Sequence, residues 1–306
     1  MKLKPSNQLE LFIHGKELKK FISLYKENKL PNKILLNGRK GIGKCTLAYH
    51  LINSILSENE DFAYNFTDFK IDDRNKTFKL IQNGSSPNFS LVDVKIDKKV
   101  VNIDQIRSLI KDLNKSSFNE KPKFVLIDDS EYLNKNSINA LLKDIEEPNI
   151  GVYFILIQNQ KRLLNTLTSR FVKFNIHLSN NESLYTINKL VNNNIHNLVN
   201  NEFINYYFSP GNIYRMIQFC GENNIDLKNI GLRDFTYILI QNDHIKKKPD
   251  IKYIFYEIIE HLLKRKSLLL DMDYYNYFVK KKEKINKFNL DEESFLIELS
   301  DKILNV

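Results

Sequence analysis

The chain has 306 residues, about twice the length of a usual domain, so two or three hydrophobic cores are expected and a single small module is excluded. With 42% hydrophobic and 27% charged residues it is neither a disordered tail nor a collagen-like fibre. Its net charge of +9 lies in the first part, with 31 basic against 23 acidic residues up to Ile225 and 15 against 14 beyond it. A positive field suits nucleic-acid phosphates, but Lys, Asn and Ile are abundant throughout, as AT-biased coding also produces. No apolar run approaches the roughly 20 residues of a membrane span, and the start, Met1 to Leu11, is polar. Two cysteines, Cys45 and Cys220, make neither a disulfide framework nor a four-cysteine zinc site. A soluble, unexported protein of the reducing cytoplasm is expected, with no membrane partner.

In chain order, Lys33–Leu36 reads as a buried strand, followed by a glycine-rich loop and a helix over Thr46–Leu56. The polar stretch 58–88 has no clear period and reads as an insertion with some helix. Ser90–Val94, Phe124–Ile127 and Tyr153–Ile157 are further β-rich apolar runs, and Phe171–Ile176 is a fifth. Helical stretches lie between them at Ile103–Leu113 and Ser137–Ile145, the latter placing Ile138, Leu141, Leu142 and Ile145 on one face. Strand alternating with helix predicts an α/β fold with a parallel sheet. After about His177 Asn-rich amphipathic helices take over, interrupted by the turn Phe208-Ser209-Pro210-Gly211. The expected domains are 1–177 (α/β), 178–222 (small helical) and 223–306 (helical). There is no internal repeat, and the Lys280–Lys284 run reads as a solvated face.

Gly38-Arg39-Lys40-Gly41-Ile42-Gly43-Lys44 follows a predicted strand and opens a predicted helix. That context makes a glycine pattern a phosphate-binding loop, its backbone N–H groups cradling phosphate oxygens and Lys44 adding charge near the outer phosphates. The next position ordinarily carries a Ser or Thr hydroxyl for Mg²⁺; here it is Cys45, a poor ligand for a hard cation, and Thr46 lies about 100° further round the helix. Phe124-Val125-Leu126-Ile127-Asp128-Asp129 is the apolar strand that would deliver carboxylates beside this loop, Asp128 toward a metal and Asp129 where a longer Glu usually activates water.

With Asn139-Ala140-Leu141-Leu142-Lys143, Glu146-Glu147-Pro148 and Thr168-Ser169-Arg170-Phe171, the chain resembles the delta-prime subunits of bacterial DNA polymerase III clamp loaders, within the AAA+ superfamily. The resemblance runs from Ile13-His14-Gly15 and Leu30-Pro31 through Val101–Leu109 to Ser209-Pro210-Gly211 and Arg215, roughly residues 8–220; the remaining residues match only in being helical. It implies an AAA+ P-loop core (1–177), a small helical lid (178–222) and a C-terminal helical collar (223–306) that holds a five-subunit ring. Implied partners are motor ATPase and delta-type subunits and, through the complex, the sliding clamp and primed DNA. Arg170 matches the family's trans-acting arginine, which reaches a neighbour's nucleotide, and Arg215 matches the lid's nucleotide-sensing arginine.

Departures from the family pattern are Cys45, Asp129, Gln158-Asn159 at the polar sensor after the fourth strand, and Phe171 in place of a Cys. The zinc module that many relatives insert after the P-loop is not expected, because Leu51–Ser90 has no cysteine. The cofactor expectation is therefore ATP with Mg²⁺ through Gly38, Gly41, Gly43, Lys44, Cys45, Thr46, Asp128, Asp129 and Arg215, without protein-bound zinc and with the metal chemistry impaired. The expected chain is a part of the polymerase holoenzyme with little or no ATPase and no polymerase activity of its own. An active motor subunit of the same loader and a P-loop small-molecule kinase are the alternatives.

Overall fold

The computed structural model describes residues 4–93, 101, 103–113, 119–146, 150–159, 163–205, 209–242, 244–267, 272–288, 292–299 and 301. Val94, Glu147, Pro148 and Phe208, singled out above, lie outside the described residues. Two compact units make up the chain, 1–182 and 183–306.

The first unit is built on five parallel strands: β1 (Lys33–Asn37), β2 (Phe89–Val92), β3 (Lys123–Ile127), β4 (Val152–Gln158) and β5 (Val172–Asn175), in the spatial order β2-β3-β4-β1-β5. This is the α/β class expected from the alternation of elements. The three central strands are buried on both faces because their apolar residues are continuous. Ile34, Leu36, Phe124, Leu126, Ile155 and Ile157 enter one core with α1 (Gly15–Lys26), α2 (Lys44–Leu56) and α3 (Lys76–Gln82). Leu35, Val125, Ile127, Phe154 and Leu156 point the other way, against α4 (Ile103–Leu113) and α5 (Lys135–Glu146). Ile138, Leu141 and Ile145 of α5 are buried as the helical spacing requires, with Leu142 packed at the margin. The edge strands carry weaker patterns, and Val172 of β5 is exposed. Register pairs Leu36 with Ile157 and Ile127 with Leu156, which sets the C-terminal ends of β1, β3 and β4 side by side.

The stretch 58–88 is fastened by amides. Asn75 caps α3 by accepting from the Phe78 N–H (2.7 Å), accepts from Asn53 Nδ2 (2.9 Å) and donates to the Phe62 carbonyl (2.7 Å). Glu60 accepts from the Thr77 N–H (3.1 Å) and hydroxyl (2.6 Å), and the Arg74 guanidinium lies 4.0 Å from the Phe62 ring centre.

The second unit is helical: α6 (Asn165–Thr168) still belongs to the first, α7 (Asn180–Val191) begins at the division, and α8 (Ile195–Leu198), α9 (Asn201–Asn205), α10 (Pro210–Glu222), α11 (Leu232–Gln241), α12 (His244–Lys247), α13 (Pro249–Ser267), α14 (Met272–Phe288) and α15 (Glu293–Leu299) follow. One continuous core runs from Ile187 to Leu299, so residues on both sides of position 222 share it. Helix α13 is its centre: Ile254, Phe255, Tyr256, Ile258 and Ile259 are all buried, and α10, α11, α12 and α14 pack against it. In the Lys280–Lys284 run, Lys281 pairs with Glu298 (2.5 Å) and Lys282 with Glu260 (2.6 Å), so part of that charge is spent inside the unit. Among the described residues no helix is long and apolar enough to cross a membrane.

Candidate functional site

The glycine loop joins β1 to α2 at the C-terminal edge of the sheet. Gly38 is required by crowding, since a Cβ there would collide with the Ile176 carbonyl. Gly43 caps α2 at φ +91° and Gly41 sits at φ +83°, left-handed conformations in which an L side chain is strained. The loop is buttressed from behind by His14, whose Nε2 lies 2.7 Å from the Ile42 carbonyl and whose ring borders Gly43. Burial holds the His14 pKa below its ordinary value, so the ring is neutral and donates this bond. Ile13-His14-Gly15, met in the sequence only as part of a resemblance, thus has a place in the loop's architecture.

Lys44 opens α2 and is buried. Its ammonium has three protons and three acceptors: the carbonyls of Gly38 (2.9 Å) and Arg39 (2.5 Å) and Oδ1 of Asn159 (2.8 Å). Desolvation lowers its pKa to about 8, against the opposing charges of Asp128, Glu131 and Asp129. Asn159 follows β4 directly and serves two ions at once, since its Nδ2 also donates to Asp129 Oδ1. The other Asp129 oxygen takes Lys40 Nζ at 2.9 Å, an ion pair about four-fifths buried. Asp129 itself adopts φ +47°, a strained backbone for a non-glycine residue, and it is this twist after β3 that turns the carboxylate toward the loop.

Asp128 and Cys45 are buried close enough for each to shift the other's titration. Asp128 accepts from the Asp129 N–H at 2.8 Å. Burial, reinforced by the Asp128 charge, raises the Cys45 pKa, and burial with the Asp129 charge raises that of Asp128. The thiol therefore stays protonated. Glu131, raised by burial, accepts from the Asn159 N–H at 3.3 Å. Thr46 is half-buried one position further along α2.

The loop's backbone has the form of a phosphate cradle at a helix N-terminus and fits the outer phosphates of a nucleotide. The side chains fit Mg²⁺ poorly: a protonated thiol stands at the hydroxyl position, beside the carboxylate that would share the metal. Asp128, Asp129, Lys44 and the three glycines are thus brought together as the spacing predicts. Lys40, Asn159 and Glu131 join them; in the sequence Lys40 appears only within the loop motif and Asn159 only at the family's polar-sensor position, and Glu131 is not singled out.

Arg170 lies beyond α6, at the end of the Thr-Ser-Arg run. Its guanidinium pairs with Glu146, the last residue of α5, through Nε (3.0 Å) and one terminal nitrogen (2.5 Å), and the other terminal nitrogen donates to the Thr166 carbonyl. The side chain is one-third exposed. Arg215 lies on α10 in the second unit, half-buried, 3.3 Å from Asn212 Oδ1. Ser209, at the N-cap of α10, is buried with its hydroxyl unbonded.

A five-stranded parallel sheet with a phosphate loop after its first strand and an acidic pair after its third defines a P-loop α/β protein. The profile of the family described as "DNA polymerase III, delta subunit" matches residues 13–180, more than half of the chain, and the chain belongs to that family. Among curated relatives, DNA polymerase III subunit delta' of Pseudomonas aeruginosa is 32% identical over 140 residues, covering 45% of this chain and 41% of that protein. DNA polymerase III subunit gamma of Buchnera aphidicola subsp. Schizaphis graminum is 26% identical over 211 residues, covering 66% of this chain and 55% of that one. The chain thus spans about half the length of these relatives. A solved gamma-subunit-related protein of Thermotoga maritima is aligned over 94% of this chain and 92% of its own, at 16% identity and a TM-score of 0.38.

Proposed function

We propose that this chain is a delta-prime-type clamp-loader subunit of the DNA polymerase III holoenzyme, helping to place the sliding clamp on primed DNA as a non-hydrolysing stator. In this reading residues 178–222 act as a lid with Arg215 as its nucleotide-sensing arginine, 223–306 contribute to a collar shared with motor and delta-type subunits, and Arg170 acts on a neighbour's nucleotide. The observation that carries the non-hydrolysing part is the internal bonding of the site. All three Lys44 protons go to the chain's own acceptors, and burial beside the Asp128 charge keeps the Cys45 thiol protonated where a metal would need a ligand. Water activation is also weakened, because both Asp129 oxygens are held by Lys40 and Asn159.

The test is nucleotide binding and turnover by the isolated chain, with and without Mg²⁺. Turnover is expected to be negligible, and affinity is expected to be insensitive to Mg²⁺ in the natural protein and Mg²⁺-dependent in Cys45→Thr, without recovery of hydrolysis. Turnover comparable to a motor subunit and lost in Lys44→Ala would establish the motor reading instead. Co-purification with the motor and delta-type subunits tests the assembly half of the proposal.

A further inference from the structure

We infer that Glu146 is the positioning residue for Arg170, holding its guanidinium so that a two-pronged edge is presented to an anionic group on a neighbouring subunit. The inference rests on the proposed trans role of Arg170 and adds to it the device that aims the side chain. Nε and one terminal nitrogen of Arg170 share a single Glu146 oxygen, at 3.0 and 2.5 Å, and the other terminal nitrogen donates to the Thr166 carbonyl. Three of the five N–H donors are committed, one from each nitrogen. One N–H remains on each terminal nitrogen, and among the described residues no other acceptor engages them. A guanidinium with a donor left on each terminal nitrogen can still meet two oxygens of a phosphate.

The location of the acceptors argues that orientation is their effect. Glu146 is the last described residue of α5, and its carboxylate is answered by Arg170 from 24 residues further along the chain. Thr166 belongs to α6, whose carbonyls point out of a single turn without a helical continuation. Arg170 therefore bonds a side chain of α5 and a backbone carbonyl of α6, and its guanidinium is held by two separate elements. With the Arg170 side chain one-third exposed and that of Glu146 half exposed, the pair contributes little to folding. A contact that adds little stability but removes the rotamer freedom of a long side chain lowers the entropy lost when the fork meets its target.

The experiment uses the reconstituted loader carrying Glu146→Gln, Glu146→Asp, Arg170→Ala or the double change Glu146→Gln with Arg170→Ala. It reads kcat and nucleotide KM of clamp- and DNA-stimulated ATPase, together with the melting temperature of each isolated subunit. Arg170→Ala is expected to lower kcat by about tenfold or more. Glu146→Gln is expected to lower kcat roughly two- to fivefold, the worth of a solvent-touched ion pair, with KM and melting temperature unchanged. Glu146→Asp should recover part of the loss, and the double variant should match Arg170→Ala alone. If Arg170→Ala slows the loader and Glu146→Gln leaves it unchanged, positioning is refuted while the trans role stands. A rise in kcat with Glu146→Gln would make Glu146 a restraint and also overturn the inference. If Arg170→Ala assembles and turns over normally, the trans role fails and the positioning of Arg170 falls with it.

Discussion

Asn159 shows how much one amide decides in this site. Its carbonyl oxygen must face the Lys44 ammonium and its NH₂ the Asp129 carboxylate, because the reverse orientation would set donor against donor and acceptor against acceptor. Asn159→Ala is expected to cost about 1–3 kcal/mol, the penalty for leaving buried polar partners short of a bond, measured as a lower denaturant midpoint for the first unit. The same unit holds a residue with a defined pH signature. His50 is fully buried, with Nδ1 2.8 Å from the Tyr64 hydroxyl and Nε2 3.1 Å from the Gln8 carbonyl, and desolvation lowers its pKa to about 4. Neutral, it accepts from the tyrosine and donates to the carbonyl; protonated, it sets a donor against the tyrosine's O–H. Between the unfolded value near 6.5 and the folded value near 4 the unfolded chain binds more protons, so stability rises with pH across that window and is lost on acidification. The full effect is on the order of 3 kcal/mol. Asp128 and Glu131, raised by burial, act in the opposite sense, so the clean readout is a difference between proteins. His50→Gln should be less stable at pH 7 yet decline less steeply from pH 6.5 to 4 in chemical denaturation, and an unchanged slope would reject the assignment.

At the scale of elements, the strands and the loop were readable because each is dictated locally. Continuous apolar runs such as Phe124–Ile127 and Tyr153–Ile157 have no polar face and must be covered on both sides, and a glycine loop between strand and helix places itself. The site's ionic partners were not readable, because Lys40, Asp129 and Asn159 meet only through the parallel register of β1, β3 and β4. Glu146 and Arg170, 24 residues apart, meet for a similar reason: α5 and α6 end near one another after β4 has passed between them in sequence. The insertion was least legible, since its order comes from a hydrogen-bonded hub rather than a periodic apolar pattern. Asn75 is that hub, fully buried and bonded to Asn53, Phe62 and Phe78. Asn75→Ala removes the cap of α3, worth about 0.5–2 kcal/mol, and also strands the Asn53 amide and the Phe62 carbonyl. Residues 57–75 should become the preferred site of limited proteolysis in this variant. Asn75→Asp keeps the cap and the Asn53 bond but cannot donate to Phe62, so an intermediate sensitivity is expected.

For the whole molecule, the position of the hydrophobic cores determines where the chain tolerates a cut. The sequence reading divides the C-terminal part at 222/223, between a lid and a collar, but the core of the second unit crosses that position. Met216, Phe219 and Cys220 of α10 are buried together with Ile254, Phe255 and Ile258 of α13, and α10 packs directly on α13. A chain ending at 222 keeps α10 and loses the helix that covers it, exposing several large apolar side chains that together are worth several kcal/mol of burial. A chain ending after Glu182 leaves none of that core behind. It also keeps the reciprocal bonds at the start of α7, where the Ser179 N–H and hydroxyl donate to Glu182 (2.9 and 2.6 Å) and Ser179 Oγ accepts from the Glu182 N–H (3.3 Å). The prediction is that 1–182 is soluble and monomeric with a cooperative unfolding transition, whereas 1–222 binds a hydrophobic dye and aggregates. Both truncations should fail to enter the loader if the collar lies in 223–306, so assembly alone does not separate them and the folding of each fragment must be read by circular dichroism and sedimentation. If 1–222 proves as cooperative and monomeric as 1–182, residues 183–222 fold without α13, and the lid would be a domain in its own right despite the shared core.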